Sequence, residues 1–337
     1  MERYEIARFD TWGREPVIAK MKNGTIVCVS ISGGPTEPHN ENVVLYTKSY
    51  DDGEHWTRPE ILFRHDHRGV WATEIFTEGE HPFMAVHTYD GECPYKNLQT
   101  FISYTNDNGE SWSEPQSFSK QVDGISIRRG IKMSNGEWLF PIYYTVVDKG
   151  FYDWHSKKMG QRGFWDGQHH ISAVIVSGDE GKTYTKYGCF EGEKHVWEPN
   201  AVELEAGHIL LYARDSGNRM KLGMTESFDY GRTWTQYCLS EFDNADTKVT
   251  LLRVKDKIIL IHDEIASVSY QGRTHLGIRI SDDYGRTWRE PIPVDDAEGH
   301  YFYPHAFCDD EKEILYIAYE TPGVHYLKKF TYKSLGI

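Results

Sequence analysis

Apolar residues fall along this chain in short runs, broken every few residues by glycine, proline, asparagine or aspartate. Val43-Val44-Leu45-Tyr46-Thr47-Lys48 and Ile278-Arg279-Ile280 have the β-branched and aromatic content of strands, and each leads into a turn. No long stretch repeats apolar residues at helical spacing between capping residues, so the pattern predicts an all-β chain. Tyr4-Glu5-Ile6-Ala7-Arg8 and Tyr326-Leu327-Lys328-Lys329-Phe330 both alternate, and they are predicted to share one sheet.

The turns share a pattern, Ser/Thr-x-Asp-x-Gly-x-x-aromatic. It occurs at Ser49 to Trp56, Thr105 to Trp112, Ser177 to Tyr184, Ser227 to Trp234 and Ser281 to Trp288. Asp can bond its own backbone two residues on, Gly supplies positive φ without steric cost, and the aromatic folds back over the turn. One match would be a surface turn. Five, recurring roughly every 50 to 70 residues with strands between them, predict blades repeated around an axis.

These patterns are Asp-boxes, and the chain resembles the sialidase (neuraminidase) superfamily. The resemblance implies a six-bladed β-propeller of four-stranded antiparallel blades. It would occupy residues 1–337 as one domain, with an insertion at about 147–170 between the second and third boxes. It also implies that the boxes lie far from a central site, marking the fold rather than the chemistry.

Composition narrows the partners. A net charge of −14 argues against a nucleic-acid binder, because phosphate affinity comes from clustered Lys and Arg. An anionic ligand would have to meet a local basic site. Cys28, Cys93, Cys189, Cys238 and Cys308 are odd in number and lack metal-ligand spacing, which reads as buried free thiols. Met1 to Glu5 do not resemble a signal peptide and no apolar run reaches membrane length. A cytoplasmic protein is expected, with a secreted mature form and a homo-oligomer left open.

In the resembled superfamily three arginines hold the sugar carboxylate, since a guanidinium fork matches it bidentately. The first opens an Arg-Ile-Pro motif, matched by Arg14-Glu15-Pro16 with one deviant residue. The second follows a glutamate by sixteen positions, as Arg214 follows Glu198 within Trp197-Glu198-Pro199-Asn200-Ala201-Val202-Glu203-Leu204. The third precedes the last box, which points to Arg273 rather than Arg279. A nucleophilic tyrosine follows that box, and Tyr303 matches best, with Tyr301 two residues away. Tyrosine suits a sugar whose anomeric carbon bears a carboxylate, because a neutral phenol activated by Glu198 avoids charge repulsion.

The resemblance fails at the general acid. The superfamily's Asp should lie in the loop Ser32-Gly33-Gly34-Pro35-Thr36-Glu37-Pro38-His39-Asn40-Glu41-Asn42, which contains none; His39 or Glu37 falls there instead. Either can donate a proton. The reading is therefore an exo-glycosidase that removes a terminal acidic sugar from an oligosaccharide or glycoconjugate. His39, Tyr303 and Arg214 would equally serve a lyase acting beside a uronic acid, and the missing Asp also permits a non-catalytic glycan-binding propeller. Substrate contacts are further expected from Arg129, of the pair Arg128-Arg129, and from Trp165 and His169 in the aromatic-rich insertion. His155, His169 and His170 have no carboxylate or thiol at ligand spacing, so neither metal nor cofactor is expected.

Overall fold

The computed structural model describes residues 2–90, 98–119, 124–147, 168–217, 219–267 and 272–337. Most of the expected insertion, including Trp165, and also Cys93, lie outside them. After strand β1 (Arg3–Arg8), the chain builds six antiparallel sheets among the described residues. The first holds β2 (Gly13–Lys20), β3 (Ile26–Ser32), β4 (Val43–Ser49) and β5 (Glu60–Phe63). The second holds β6 (Gly69–Phe76), β7 (Phe83–Tyr89), β8 (Gln99–Tyr104) and β9 (Gln116–Ser117). The third orders β10 (Ile125–Ile127), β12 (Trp138–Val147), β13 (Gln168–Ser177) and β14 (Thr185–Phe190), with β11 (Ile131–Lys132) added beside β12. The fourth holds β15 (Val196–Glu205), β16 (His208–Asp215), β17 (Lys221–Ser227) and β18 (Cys238–Asp243). The fifth holds β19 (Thr250–Val254), β20 (Lys257–Asp263), β21 (Leu276–Ser281) and β22 (Ile292–Pro293).

The sixth sheet runs β23 (Phe302–Asp309), β24 (Ile314–Thr321), β25 (Val324–Thr331) and then β1. Tyr4 lies opposite Leu327, as the alternation of the two chain ends predicts. The first strand of each sheet approaches its counterpart in the next, or the strand beside it, and β23 returns to β2. The result is a closed six-bladed β-propeller.

Apolar faces of adjacent blades fill the gaps between them. Val27 and Val29 of the first blade meet Val70 and Val86 of the second; Ile259 and Ile261 of the fifth meet Ile317 and Phe330 of the sixth. Each fully buried side chain of this kind contributes about 1.5–3 kcal/mol. Cys28 belongs to this core, but Cys189 and Cys238 are exposed, contrary to the expectation of buried thiols; both sit on outer strands, β14 and β18, where one face meets solvent.

The five Asp-boxes share one bonding scheme that differs from the expected two-residue Asp turn. In the first, Ser49 Oγ donates to Asp51 Oδ1 at 2.9 Å and accepts from Gly53 N at 2.8 Å, while Asp51 Oδ1 accepts from His55 N at 2.9 Å. The carboxylate thus spans four residues. Asp52 and Gly53 both carry positive φ, 60° and 81°, and a Cβ on Gly53 would meet Leu327 Cδ2 at 2.2 Å. Each box follows the third strand of a blade. First and third strands run parallel, and Arg14, Glu198 and Tyr303 sit at the starts of first strands. The boxes therefore lie on the opposite face from the site.

Candidate active site

Three first strands carry the same irregularity. Pairing slips between Arg14 and Val17 on β2, between Trp197 and Asn200 on β15, and between Phe302 and His305 on β23. Each slip contains a residue of positive φ followed by proline: Glu15 (55°), Glu198 (51°) and Tyr303 (48°). These strands have a neighbour on one side only, so a missing proline N–H removes no ladder bond from the sheet centre. A bulge re-aims the side chain it carries, and positive φ at a non-glycine residue is strain held in place by its surroundings. The fold thus turns two carboxylates and a phenol toward the axis from three blades.

The Tyr303 phenol is where the expected residues converge. Burial pushes its pKa up and the Glu198 carboxylate adds to the rise, while Arg214, Arg273 and Arg14 oppose it. Arg214 sits opposite Trp197 across β15 and β16. Its Nη1 donates to Glu198 Oε2 at 3.2 Å, its Nε to Asp246 Oδ1 at 2.8 Å, and its guanidinium lies 4.2 Å from the Trp197 ring. Arg273, just before β21, donates to the carbonyls of Ala245 and Asp246 and stands 5.6 Å from the Tyr303 ring. Arg279 is instead clasped by both oxygens of Glu264. Tyr301 turns the other way, its hydroxyl donating to the Ala297 carbonyl and its ring packing against Tyr319.

The loop between β3 and β4 separates the two candidate acids. Asn42 organises it: Nδ2 donates to the carbonyls of Gly33 at 2.5 Å and Thr36 at 3.0 Å, and Oδ1 accepts from His39 N at 2.8 Å and from the Tyr89 hydroxyl. Glu37 comes within 3.7 Å of Arg14. Burial pushes its carboxyl up to about 7, against Arg14 and with Glu15 and Glu198 adding to the rise. His39 faces another partner. Its Nδ1 accepts from Glu41 N at 3.1 Å, and the ring lies against Gly34, where a Cβ would stand 2.8 Å from Nδ1. The structure therefore brings Glu37, and not His39, to the arginines.

Beneath this group lies a second one that motif reasoning missed. Glu15 accepts from Arg128 Nη2 at 2.5 Å, Trp71 Nε1 at 2.6 Å and Lys248 Nζ at 3.4 Å, and its own N–H donates to Glu320 at 2.7 Å. Burial works against its ionisation, but Arg128 and Lys248 outweigh it and hold the carboxyl at about 2. Glu320 is buried near Arg14 and its carboxyl rises to about 7. The segment running into β19 ties both groups together: Asp246 holds Arg214, the Ala245 and Asp246 carbonyls hold Arg273, Lys248 reaches Glu15, and Thr250 Oγ1, at the start of β19, donates to the Pro304 carbonyl at 2.6 Å. A sequence signal for the lower group was the departure itself, Glu15 within Arg-x-Pro.

The remaining expected contacts divide. Of the arginine pair, Arg128 is the one joined to Glu15; Arg129 donates to the Ala306 carbonyl, three residues along β23 from Tyr303. His169 lies on β13 opposite Val146, its side chain outside the described residues.

The model of the BNR repeat-like domain matches residues 83–317. A sialidase from Bacteroides fragilis is 25% identical across 79% of this chain and 48% of its own length. Among solved structures, the Hadza microbial sialidase Hz136 superposes with a TM-score of 0.76 at 19% identity, over 96% of this chain and 66% of that one. Trypanosoma rangeli sialidase, in complex with 2,3-difluorosialic acid as a covalent intermediate, gives 0.72 at 17% identity, over 97% and 59%. The chain thus spans about half the length of the first of these relatives and roughly three-fifths to two-thirds of the two solved sialidases.

Proposed function

We propose, on the premise that this chain belongs to the BNR repeat-like family and shares the sialidase-superfamily propeller, that it hydrolyses a terminal carboxylated sugar, sialic acid or a close relative, from a glycan. The observation that carries this reading is the buried Tyr303 phenol, with Arg273 5.6 Å from its ring and with Glu198, bonded to Arg214, and Arg14 among the charges that act on it. Arg14, Arg214 and Arg273 take the sugar carboxylate, which an Asp or Glu nucleophile would repel. The phenol oxygen bonds to the anomeric carbon as its proton passes to Glu198. The glycosidic bond breaks, and Glu37 gives its proton to the departing oxygen. Water then attacks the same carbon and yields a proton to Glu37. The phenoxide leaves and recovers its proton from Glu198. The lyase reading leaned on His39, whose ring is engaged with Glu41, and no observation favours it.

Glu37 must hold its proton to act as the acid, and its carboxyl lies at about 7. The rate on a natural sialoside such as sialyllactose should therefore fall as pH rises through about 7. Glu37→Gln should remove that limb and cost on the order of 10²- to 10⁴-fold. With an aryl sialoside, whose leaving group needs no proton, kcat/KM should lose far less. His39→Ala should leave both rates close to wild type. A large loss confined to His39→Ala would reverse the assignment of the acid.

A further inference from the structure

The group beneath Tyr303 has no assigned part in the reaction just described. Lys248 is 3% exposed on its side chain, its Nζ is 3.4 Å from Glu15 Oε1, and the same Nζ lies 5.7 Å from the centre of the Tyr303 ring. Glu15 is gripped by Arg128 and Trp71 as well and cannot swing away. Thr250, two residues beyond Lys248, is bonded to the carbonyl of Pro304, next to Tyr303. The ammonium is therefore fixed relative to the phenol from both ends.

Charge explains why this position matters. Arg128 and Lys248 both hold Glu15, and the nearby buried carboxyls of Glu74 and Glu320 are pushed up to about 7 by burial, so positive charge is incompletely balanced within this group. Arg273 also borders the Tyr303 ring, but in the proposed reaction its charge is engaged by the substrate carboxylate. Lys248 is held by Glu15 instead. A cation near an aromatic ring is attracted more strongly as the ring gains electron density, which happens when the phenol oxygen loses its proton.

We propose that Lys248, anchored by Glu15, is a positioning residue that stabilises the charge developing on Tyr303 as it attacks the sugar. The proposal rests on the reading of Tyr303 as nucleophile. Lys248 makes no bond to substrate. Its contribution appears in the step that forms or breaks the phenol–sugar bond and is absent from the binding of the sugar.

The test uses the full chain and 2,3-difluorosialic acid. The phenol oxygen bonds to the anomeric carbon, fluoride leaves, and the phenol proton passes to Glu198; mass spectrometry locates the adduct and its growth gives the rate. In Lys248→Met, Glu15 keeps Arg128 as its counter-ion, so the fold should hold. Labelling of Tyr303 should slow by about tenfold or more in this variant. The affinity for free sialic acid, measured by calorimetry, should stay within about twofold, since the residues that bind it are untouched. Lys248→Arg should recover most of the rate. Labelling of Lys248→Met at the wild-type rate would overturn the proposal while leaving Tyr303 as nucleophile. Parallel loss of affinity and rate would overturn it in favour of a structural role. A wild-type protein that is never labelled on Tyr303 would remove the underlying reading, and the proposal with it.

Discussion

Replacing Tyr303 by phenylalanine should lower kcat on sialyllactose by on the order of 10³-fold or more, the scale expected when a nucleophile that works as a unit with its base is lost. The substitution removes one oxygen and keeps the ring that borders Lys248 and Arg273 at 5.7 and 5.6 Å, so the fold and the charge around it should persist. Affinity for free sialic acid should change little, because Arg14, Arg214 and Arg273 carry it. Glu198→Gln should fall on the same scale, and the double variant should be hardly slower than either single one, since base and nucleophile serve one step. Additive losses would mean that the two residues act in separate steps. Steady-state kinetics with calorimetry on the same preparations would decide.

The second large effect is on stability. Glu15→Ala should destabilise the propeller by about 3–5 kcal/mol, the cost of leaving buried charges without their partner. Arg128 would lose its 2.5 Å contact and Lys248 its 3.4 Å one, and both side chains are 3% exposed. Trp71 Nε1 would lose its acceptor as well. By contrast, the Lys48–Glu110 pair is just as short at 2.6 Å but has one partner 46% exposed, and removing it should cost only about 0–1 kcal/mol. Burial, not distance, decides between them. Glu15→Gln should fall between the extremes, because an amide oxygen still accepts from one cation and from the indole. The shift in denaturant midpoint across these three variants would check the order.

How much of this was legible in the sequence depends on the range of the interaction. The boxes are local: Ser49, Asp51, Gly53 and His55 bond one another within a few residues, so the pattern survives in the chain even though its bonding scheme was misread. The pairing of β1 with β25 showed in alternation alone. The sixteen-residue spacing of Glu198 and Arg214 is a hairpin distance, and their contact follows from the pairing of β15 with β16. The acid was harder. Glu37 and His39 are two residues apart in a loop whose shape is set by Asn42 and two positive-φ glycines, and one turn of backbone decides which side chain faces Arg14.

The lower group was not legible, because Glu15 meets residues 56, 113 and 233 positions away in the chain, on β6, just after β10 and just before β19. No local pattern encodes such a meeting. A shared feature did sit in plain view: Glu15-Pro16, Glu198-Pro199 and Tyr303-Pro304 repeat one device on three inner strands. A proline inside a strand points to an edge or a bulge, and bulges gather at active sites. Read together, the three dipeptides would have marked Glu15 beside the two residues that motif comparison singled out.

The central claim is that this propeller hydrolyses the bond to a carboxylated sugar, and the products report on it directly. The full chain would be incubated in ¹⁸O-labelled water with a mixture of sialylated and uronate-containing oligosaccharides, and the products weighed by mass spectrometry. The account predicts free sialic acid carrying the label and a shortened glycan without it. A fragment that gains no water and carries a new unsaturation, or a mixture left unchanged, would contradict it.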